Sequence, residues 1–153
     1  MIVLNNKRNK RMSVKCRKVQ FKDMKVVIKL LKSISNFIPN KSEYKRIWKK
    51  YSAQNNVFGV VAELDGTVVG YGSVVIETKI RGGRVGHIED IVCSSDKQRK
   101  GVGTKILDKL FEISKKKNCY RCSLVRKPHN KIFYDRNLYK DDGRLSMTRF
   151  IKK

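Results

Sequence analysis

Two adjacent carboxylates, Glu89 and Asp90, lie in the segment GHIEDIVC of a chain that is poor in acidic residues. Lysine and arginine total 37 against 13 aspartates and glutamates, which gives a formal net charge of +24. Carboxylates accept strong, charge-assisted hydrogen bonds from cationic groups. The pair is therefore a candidate binding site, and a surface pair that balances nearby lysines is the alternative.

A glycine turn, QRKGVGT, follows about ten residues later and precedes a helical pattern. Gly101 and Gly103 lack side chains, so the backbone N–H groups of a helix N-terminus are open to an anion, and phosphate binds such nests. Arg99 and Lys100 add positive charge. The turn fits neither GxxxxGK[ST] nor GxGxxG, which argues against nucleoside triphosphates and dinucleotides. An ordinary tight connection between two elements is the alternative.

The charge and length of the chain limit the classes of protein that it can be. A chain of 153 residues suits one domain. We predict that this domain covers residues 14–153 and that residues 1–13 form a basic, disordered tail. The alternative for the tail is a targeting arm. The net charge attracts phosphorylated small molecules, nucleic acids or acidic membranes, although scattered lysines also suit a solvated surface. With no membrane-length apolar run or signal-peptide core, we expect a soluble, cytoplasmic protein.

The four cysteines form no zinc or disulfide pattern, so we predict no metal site. Cys119 and Cys122 fall on opposite faces of a predicted strand because side chains alternate along strands.

The elements that must position these residues follow from hydrophobic spacing. Strands are predicted at residues 14–20, 57–64, 67–77, 84–93, 119–125 and 144–151, and helices near 23–34, 43–53, 102–117 and 129–137. Asp23 and Ser42 are the predicted N-caps of the first two helices, and Asp65-Gly66 is a predicted hairpin turn. Strict alternation puts Glu89 and Asp90 on opposite faces of their strand. Hairpins followed by strand–helix–strand units indicate an α/β or α+β sheet covered by helices.

The turn QRKGVG resembles the pyrophosphate-binding turn, Q/R-x-x-G-x-G/A, of the GNAT acyl-CoA-dependent acetyltransferases, and the order of elements is similar. Within that superfamily, GHIEDIV, NCY and HNKIFYDRNLY look like the glucosamine-6-phosphate N-acetyltransferase family. The resemblance implies the GNAT fold, a mixed, mostly antiparallel central sheet flanked by helices. It also implies direct acetyl transfer from acetyl-CoA to the amine of glucosamine 6-phosphate in a ternary complex, giving N-acetylglucosamine 6-phosphate for UDP-N-acetylglucosamine synthesis.

The same resemblance assigns residues to the cofactor. Backbone groups on the fourth strand would contact the pantetheine arm and stabilise the oxyanion, at Ile91, Val92 and Cys93. The pyrophosphate would be held by Arg99, Lys100, Gly101, Val102, Gly103 and Thr104, with less specific contacts from Asp135 and Arg136. The Tyr134 hydroxyl would protonate the departing thiolate, a core tyrosine being the alternative. Cys93 is not expected to be a nucleophile, since the family transfers acetyl directly.

For the acceptor, the resemblance implies that Glu89, Asp90 and Ile91 hold the amino sugar. Contacts to the phosphate and sugar would come from Lys79, Arg121 and Arg149, with hydroxyl partners at Ser35 and Tyr120. Part of the family's pocket comes from a second subunit, which implies a homodimer with shared active sites.

Two positions depart from the family pattern. Val125 stands where a carboxylate is expected, and Leu138 stands where a glycine is usual. The general base is therefore open: water or a main-chain carbonyl suffices for a weakly basic sugar amine, and Glu89 is the alternative.

Two other functions compete with this interpretation. One is a protein or peptide lysine N-acetyltransferase on the same fold, which the positive charge of the chain disfavours because basic tails would be repelled. The other is a catalytically silent, basic nucleic-acid-binding module, which the glycine turn, the carboxylate pair and Tyr134 disfavour. We therefore expect neither nucleic acid nor membrane as a partner.

Overall fold

The computed structural model describes residues 13–151. The elements in chain order are β1 (Val14–Lys18), α1 (Met24–Leu31), α2 (Tyr44–Ser52), β2 (Val57–Leu64), β3 (Thr67–Thr78), β4 (Arg84–Cys93), α3 (Val102–Lys116), β5 (Cys119–Ser123) and α4 (Lys131–Arg136). Nearly all of the predicted basic tail, residues 1–13, lies outside the described residues.

The strands form one sheet in the order β1-β2-β3-β4-β5. The first three pairings are antiparallel, and β4 pairs with β5 in parallel. Asp65 and Gly66 join β2 to β3 with positive φ angles of 50° and 79°, as the predicted hairpin turn requires. A parallel pair needs a crossover, which α3 supplies. The predicted mixed, mostly antiparallel sheet with flanking helices is confirmed.

Helices cover both faces of the sheet. On one face, Ile106 and Leu110 of α3 are fully buried in a cluster with Val74 and Ile88 of the sheet. On the other face, side chains of α1 and α2 pack over Tyr71, in a cluster that also holds Val19, Val27, Val61, Val92, Trp48 and Tyr51. The two faces thus have separate apolar clusters.

Asp23 is the N-cap residue of α1 as predicted, although its side chain makes no capping hydrogen bond to that helix, whereas the predicted N-cap of α2, Ser42, is wrong. The carboxylate of Asp23 accepts hydrogen bonds from the Gln20 N–H at 2.8 Å and from Arg17 at 2.7 Å, closing a short 3-10 turn before α1. In the turn before α2, Asn40 and Glu43 form the capping box, not Ser42. Polar residues at adjacent positions compete for the same role, and only the backbone geometry of the turn decides between them.

Cys119 and Cys122 do not lie on opposite faces as predicted. Arg84 pairs with Cys119, whereas Val85 pairs with Arg121, so β5 carries one extra residue at this point. A bulge of this kind breaks the alternation of side chains. Both thiols are free and pack against the α3 cluster.

The predicted last strand, 144–151, is wrong: residues 137–151 form neither helix nor strand. The segment keeps an alternating apolar pattern, but its large side chains are exposed, at Leu145, Met147, Phe150 and Ile151. A strand needs a neighbour for its backbone hydrogen bonds, and in the single chain this segment pairs with no strand of the described sheet.

Candidate active site

A β-bulge in β4 brings Glu89 and Asp90 to the same side of the sheet. From Tyr71 to Ser73, β3 advances two residues, while its partner positions on β4 run three residues, from Val92 to Glu89. Asp90 takes a left-handed conformation, with φ 57°, which aspartate tolerates better than most residues. Glu89 is the register partner of Ser73, and Asp90 lines a cavity with Tyr71 on the α1–α2 face. The predicted placement on opposite faces is therefore wrong, because the bulge breaks the alternation.

Asp90 lies at the mouth of that cavity, near Tyr51 and Tyr71. Its side chain is solvent-accessible, but the surrounding protein partly desolvates the carboxylate, which raises its pKa. Neither Glu89 nor Asp90 makes a salt bridge within residues 13–151. In a chain of net charge +24, this carboxylate pair is open to an external cation.

The end of β4 separates from β5 just beyond the carboxylates. Pairing between these strands stops at His87 and Ser123, so residues 88–93 of β4 have no partner on β5. The backbone of Ile91, Val92 and Cys93 lies in this unpaired part. Unpaired N–H and C=O groups at a sheet edge can bind an extended ligand in place of a strand.

The glycine turn forms the N-terminus of α3. Gly101 is the N-cap with φ 76°, and Arg99 is also left-handed at 64°. The first helical hydrogen bond runs from the Lys105 N–H to the Gly101 carbonyl, at 3.0 Å. The amides of residues 102–104 therefore precede the helical ladder and have no acceptor in it. With the exposed side chains of Arg99 and Lys100, this is an anion-binding arrangement at the positive end of a 15-residue helix.

Gly103 has a packing role beside the one predicted for it in the turn. A Cβ at this position would lie 2.8 Å from Phe133 Cζ of α4 and 3.7 Å from Cys93 Sγ. The missing side chain thus permits close packing between α3, α4 and the end of β4. Gly101, where a Cβ would meet nothing within 4 Å, is needed for its left-handed φ.

Tyr134 of α4 lies near Cys93 and is 9% exposed. Its ring packs against Phe133 and Tyr139, with centroid separations of 5.0 and 6.1 Å. Burial raises the pKa of the Tyr134 hydroxyl, which therefore keeps its proton at neutral pH. Burial also raises the pKa of the Cys93 thiol to about 11, which disfavours a nucleophilic thiolate.

The two residues after Tyr134 are exposed. Asp135 pairs with Lys131 at 2.6 Å, one turn earlier on α4, and Arg136 makes no salt bridge within the described part of the chain.

A polar network crosses the sheet on the β5 side of Glu89. Lys79 Nζ lies 2.6 Å from Glu77 Oε2, which is 2.7 Å from His87 Nε2. His87 Nδ1 lies 3.3 Å from Ser123 Oγ. The hydrogen bonds from Lys79 and His87 lower the pKa of Glu77. Glu77, His87 and Ser123 were not among the predicted site residues, since only the pairing of β3, β4 and β5 brings them together.

The remaining predicted acceptor residues are not gathered into one cluster. Arg121 Nε is buried without a hydrogen-bond partner, and its Nη1 lies 3.8 Å from Asp142 Oδ2. Tyr120 accepts a hydrogen bond from Arg81 at 3.2 Å. Ser35 lines the cavity with Asp90. Arg149 lies on the exposed C-terminal segment, and the structure does not bring it to the other residues. Within residues 13–151, no three metal-ligating side chains come together.

Comparison with known proteins places this arrangement in a family. The model of the acetyltransferase (GNAT) family matches residues 26–140. The chain belongs to this family. A glucosamine 6-phosphate N-acetyltransferase of Candida albicans is 30% identical to this GNAT protein over 115 residues, which are 72% of this chain and 77% of the relative.

Solved structures share the fold of this GNAT protein. The glucosamine-6-phosphate N-acetyltransferase of Arabidopsis thaliana has a TM-score of 0.83 at 27% identity, over 92% of this chain and 99% of its own. A predicted acetyltransferase of Clostridium acetobutylicum, crystallised with acetyl-CoA, has a TM-score of 0.68 at 20% identity, over 89% of this chain and 96% of its own. The second match concerns the fold alone.

Proposed function

We propose that this GNAT protein transfers the acetyl group of acetyl-CoA to the amine of glucosamine 6-phosphate. The observation that carries the proposal is the bulge that turns Glu89 and Asp90 to one side of β4, beside the unpaired end of the strand. Two carboxylates there suit an ammonium and its neighbouring hydroxyls. Two relatives that bear the name of this activity support the choice of acceptor.

The residues present fit acetyl-CoA, which would supply the acetyl group as a thioester. The turn from Arg99 to Thr104 would bind its pyrophosphate through the amides at the start of α3 and the cationic side chains. The pantetheine arm would lie along the unpaired backbone of Ile91, Val92 and Cys93. Asp135 and Arg136, exposed at the end of α4, would add peripheral contacts.

In the reaction, Glu89 and Asp90 would hold and orient the amine. A backbone N–H on β4 would stabilise the oxyanion that develops as nitrogen attacks the carbonyl carbon. Tyr134, whose raised pKa keeps the hydroxyl protonated, would donate a proton to the departing thiolate. Val125, at the position where the family has a carboxylate, is exposed beyond β5, so water, a main-chain carbonyl or Glu89 would take the amine proton.

The phosphate of the acceptor would meet cations on the β5 side. Arg121 is suited to it because its buried Nε lacks a partner and guanidinium groups bind phosphate in a bidentate way. Lys79 would have to share its charge between the phosphate and Glu77. Tyr120 and Ser35 would contribute hydroxyls.

We further propose a homodimer in which each chain supplies its C-terminal segment, with Arg149, to the other's acceptor pocket. In its favour, the apolar side chains of residues 144–151 are exposed, and β5 is the last strand of the described sheet, with one edge free for a further strand. Exposed apolar side chains and an unpaired sheet edge each favour association.

We propose a cytoplasmic location, and no helix within residues 13–151 has the length and apolar character that a membrane crossing needs. The lysine acetyltransferase and the silent nucleic-acid module are not favoured, because the relatives from Candida albicans and Arabidopsis thaliana bear the name of an acetyltransferase of the amino sugar. Absence of nucleic-acid binding stays a prediction.

The test is release of free thiol from acetyl-CoA with glucosamine 6-phosphate or glucosamine as acceptor. Arg121→Ala should lower kcat/KM for the phosphorylated sugar at least tenfold and leave glucosamine nearly unaffected, because a charge-assisted contact is worth roughly 1.5–3 kcal/mol. Lys115→Ala, at the exposed end of α3, is the matched control for loss of one positive charge. Equal use of both sugars by the native protein would overturn the proposed acceptor.

The shared site is tested separately. Arg149→Ala subunits mixed with subunits carrying Glu89→Ala and Asp90→Ala should regain activity through hybrid sites. No rescue after confirmed subunit exchange would refute the shared site alone.

A further inference from the structure

His87 is one of two histidines in the chain and lies in the polar network on the β5 side of Glu89. Its Nε2 is 2.7 Å from Glu77 Oε2, an oxygen that also accepts a hydrogen bond from Lys79. The hydrogen bonds from Lys79 and His87 lower the pKa of Glu77, so this carboxylate is ionised at neutral pH and can only accept hydrogen bonds. In a neutral His87, Nε2 therefore carries the proton and Nδ1 carries the lone pair.

Ser123 of β5 lies on the other side of the imidazole ring. Its Oγ is 3.3 Å from His87 Nδ1, and the hydroxyl donates because Nδ1 is the accepting nitrogen. This hydrogen bond is long, and such bonds often tighten when substrate binds. A hydroxyl, an imidazole and a carboxylate in this order can take up a proton, since the proton of the hydroxyl passes to His87 and the charge of Glu77 stabilises the imidazolium.

The Ser123 hydroxyl lies at the place where acetyl transfer is proposed. His87 and Ser123 are the last register pair before β4 and β5 separate. Glu89 follows His87 by two residues, and the pairing of β4 with β3 is regular as far as Glu89, so the two side chains share a face. Alternate residues of a strand are roughly 6.6 Å apart, a distance that one hydroxyl group can bridge. The His87 side chain is 36% exposed, so the ring is open to an acceptor held at Glu89.

We propose that His87 is the acceptor of the proton that the sugar amine loses during acetyl transfer, and that it receives this proton through the Ser123 hydroxyl. The inference rests on the proposed acetyl transfer to glucosamine 6-phosphate and assigns a step that is open there between water, a main-chain carbonyl and Glu89. Histidine suits the step because imidazole changes its charge between pH 5 and 8, whereas the carboxylate of Glu89 would already be engaged with the amine. Glu77 acts through His87 and is a positioning residue.

The protons and bonds of the transfer balance. The ammonium first loses one proton to solvent, and the free amine attacks the thioester carbonyl carbon, so that a C–N bond forms. The nitrogen then gives its second proton to Ser123 Oγ while the Ser123 hydroxyl proton moves to His87 Nδ1. The C–S bond breaks, and the thiolate takes the proton of Tyr134. His87 and Tyr134 return to their starting forms by exchange with solvent, and the products are the N-acetylated sugar phosphate, free coenzyme A and one net proton.

The experiment measures formation of N-acetylglucosamine 6-phosphate, because added imidazole itself cleaves thioesters and would release free thiol. His87→Ala should lower kcat at least about a hundredfold, the lower end of general acid–base contributions. KM should change by less than about threefold, since the proton moves only after the acceptor is bound. His129→Ala is the matched control and should keep the native kcat, because His129 is the other histidine of the chain and is exposed in the turn before α4.

Chemical rescue separates a base from a structural ring. Added imidazole should raise the kcat of His87→Ala at least about tenfold, because it can occupy the space of the lost ring and accept the proton. Pyrazole has the same ring shape but is a far weaker base, so it should restore nothing. Ser123→Ala and Glu77→Gln, which interrupt the chain on either side of the ring, should each lower kcat at least about tenfold.

Melting temperatures show whether each variant is folded. If His87→Ala is not, His87→Gln replaces the ring by an amide that is no base and should lose kcat to the same extent. A native kcat in a folded His87 variant, or rescue of His87→Ala by pyrazole as much as by imidazole or by neither, would overturn the inference and leave the proposed function intact. A native kcat in Ser123→Ala would overturn transfer through its hydroxyl. No N-acetylation of glucosamine 6-phosphate by the native protein would overturn both the inference and the proposed function.

Discussion

The hydroxyl of Tyr51 on α2 lies 3.2 Å from the hydroxyl of Tyr71 on β3. Gly59 of β2 makes room for this pair, since a Cβ there would stand 2.2 Å from Tyr51 Oη and 2.7 Å from Val19 Cγ1. The hydrogen bond joins α2 to the sheet beside Asp90, in the wall of the cavity.

The first prediction concerns this contact. Gly59→Ala should destabilise the protein by about 1–3 kcal/mol, the usual cost of overpacking. Tyr51→Phe removes the atom that the new Cβ would meet first, so Gly59→Ala should cost less in that background, although the contact with Val19 stays. Denaturant unfolding of the two single variants and the double variant measures the difference. Equal costs in both backgrounds would contradict the role of the Tyr51 hydroxyl.

At Gly101 of the anion-binding turn, the effect of an added charge on acetyl-CoA binding can be separated from the effect of backbone strain. Gly101→Asp should weaken acetyl-CoA binding at least tenfold, because a carboxylate would replace space meant for pyrophosphate, and contacts to charged groups are worth roughly 1.5–3 kcal/mol. Gly101→Asn is the control, since asparagine also tolerates a left-handed φ but carries no charge. Calorimetry gives both affinities. Unchanged binding in Gly101→Asp would remove the turn from the site, and equal losses would assign the effect to strain.

Tyr134→Phe should slow turnover about a hundredfold, at the lower end of general acid–base contributions, with acetyl-CoA affinity nearly intact. Tyr139→Phe is the matched control on a neighbouring ring, because the Tyr139 hydroxyl is buried without a partner and its loss should leave turnover unchanged. Single-turnover kinetics and calorimetry separate the two effects. A native turnover rate in Tyr134→Phe would make Tyr134 a packing residue.

The ion pair between Arg17 and Asp23, at 2.7 Å, predicts a stability that depends on pH. The hydrogen bond from Arg17 lowers the pKa of Asp23, and the hydrogen bond from the Gln20 N–H lowers it further. The contribution of the ion pair to stability is therefore present above the unfolded pKa of about 3.9 and is lost as the pH falls through the pKa of the folded state. Asp23→Asn should cost about 2 kcal/mol at pH 7, less than the roughly 3–5 of a fully buried pair, because the Arg17 side chain is 28% exposed. Unfolding free energies at pH 7 and pH 3 should show a smaller difference between native and variant protein at the lower pH. A constant difference would refute the linkage.

Leu138 has φ 68° and is 90% exposed, so a bulky side chain occupies a left-handed position without evident compensation from packing. Leu138→Gly should stabilise the protein by about 1 kcal/mol, since this conformation costs a non-glycine residue roughly 1–2 kcal/mol. Asn118→Gly, at φ 59°, is the control and should gain less, because asparagine tolerates the region. A loss of melting temperature in Leu138→Gly would show that the side chain has contacts that outweigh the strain.

Local patterns in the sequence were sufficient to predict the parts of the structure that depend on neighbouring residues. The Asp65-Gly66 turn, the spacing of Ile106 and Leu110 in α3, and the glycine turn at its start depend on a few consecutive residues. The family resemblance rested on the same local segments. For this reason the sheet, the flanking helices and the family could be predicted from the sequence.

The predictions that were wrong concern features that depend on which strand lies opposite. The bulge that turns Asp90 to the side of Glu89 arises from the register with Tyr71 and Ser73, which no property of the segment GHIEDIV specifies. The predicted last strand was wrong for the same reason, since alternation along residues 144–151 does not supply the neighbouring strand that its backbone hydrogen bonds need. The network of Glu77, His87 and Ser123 required three strands to be aligned before it could be seen.

The sulfur chemistry of the chain has a practical consequence. Burial raises the pKa of all four cysteine thiols, at Cys16, Cys93, Cys119 and Cys122. A protonated thiol reacts slowly with oxidants and alkylating agents. The four thiols of the folded protein should therefore be alkylated more slowly than those of the unfolded chain, so the rate of alkylation reports how often the fold opens around them.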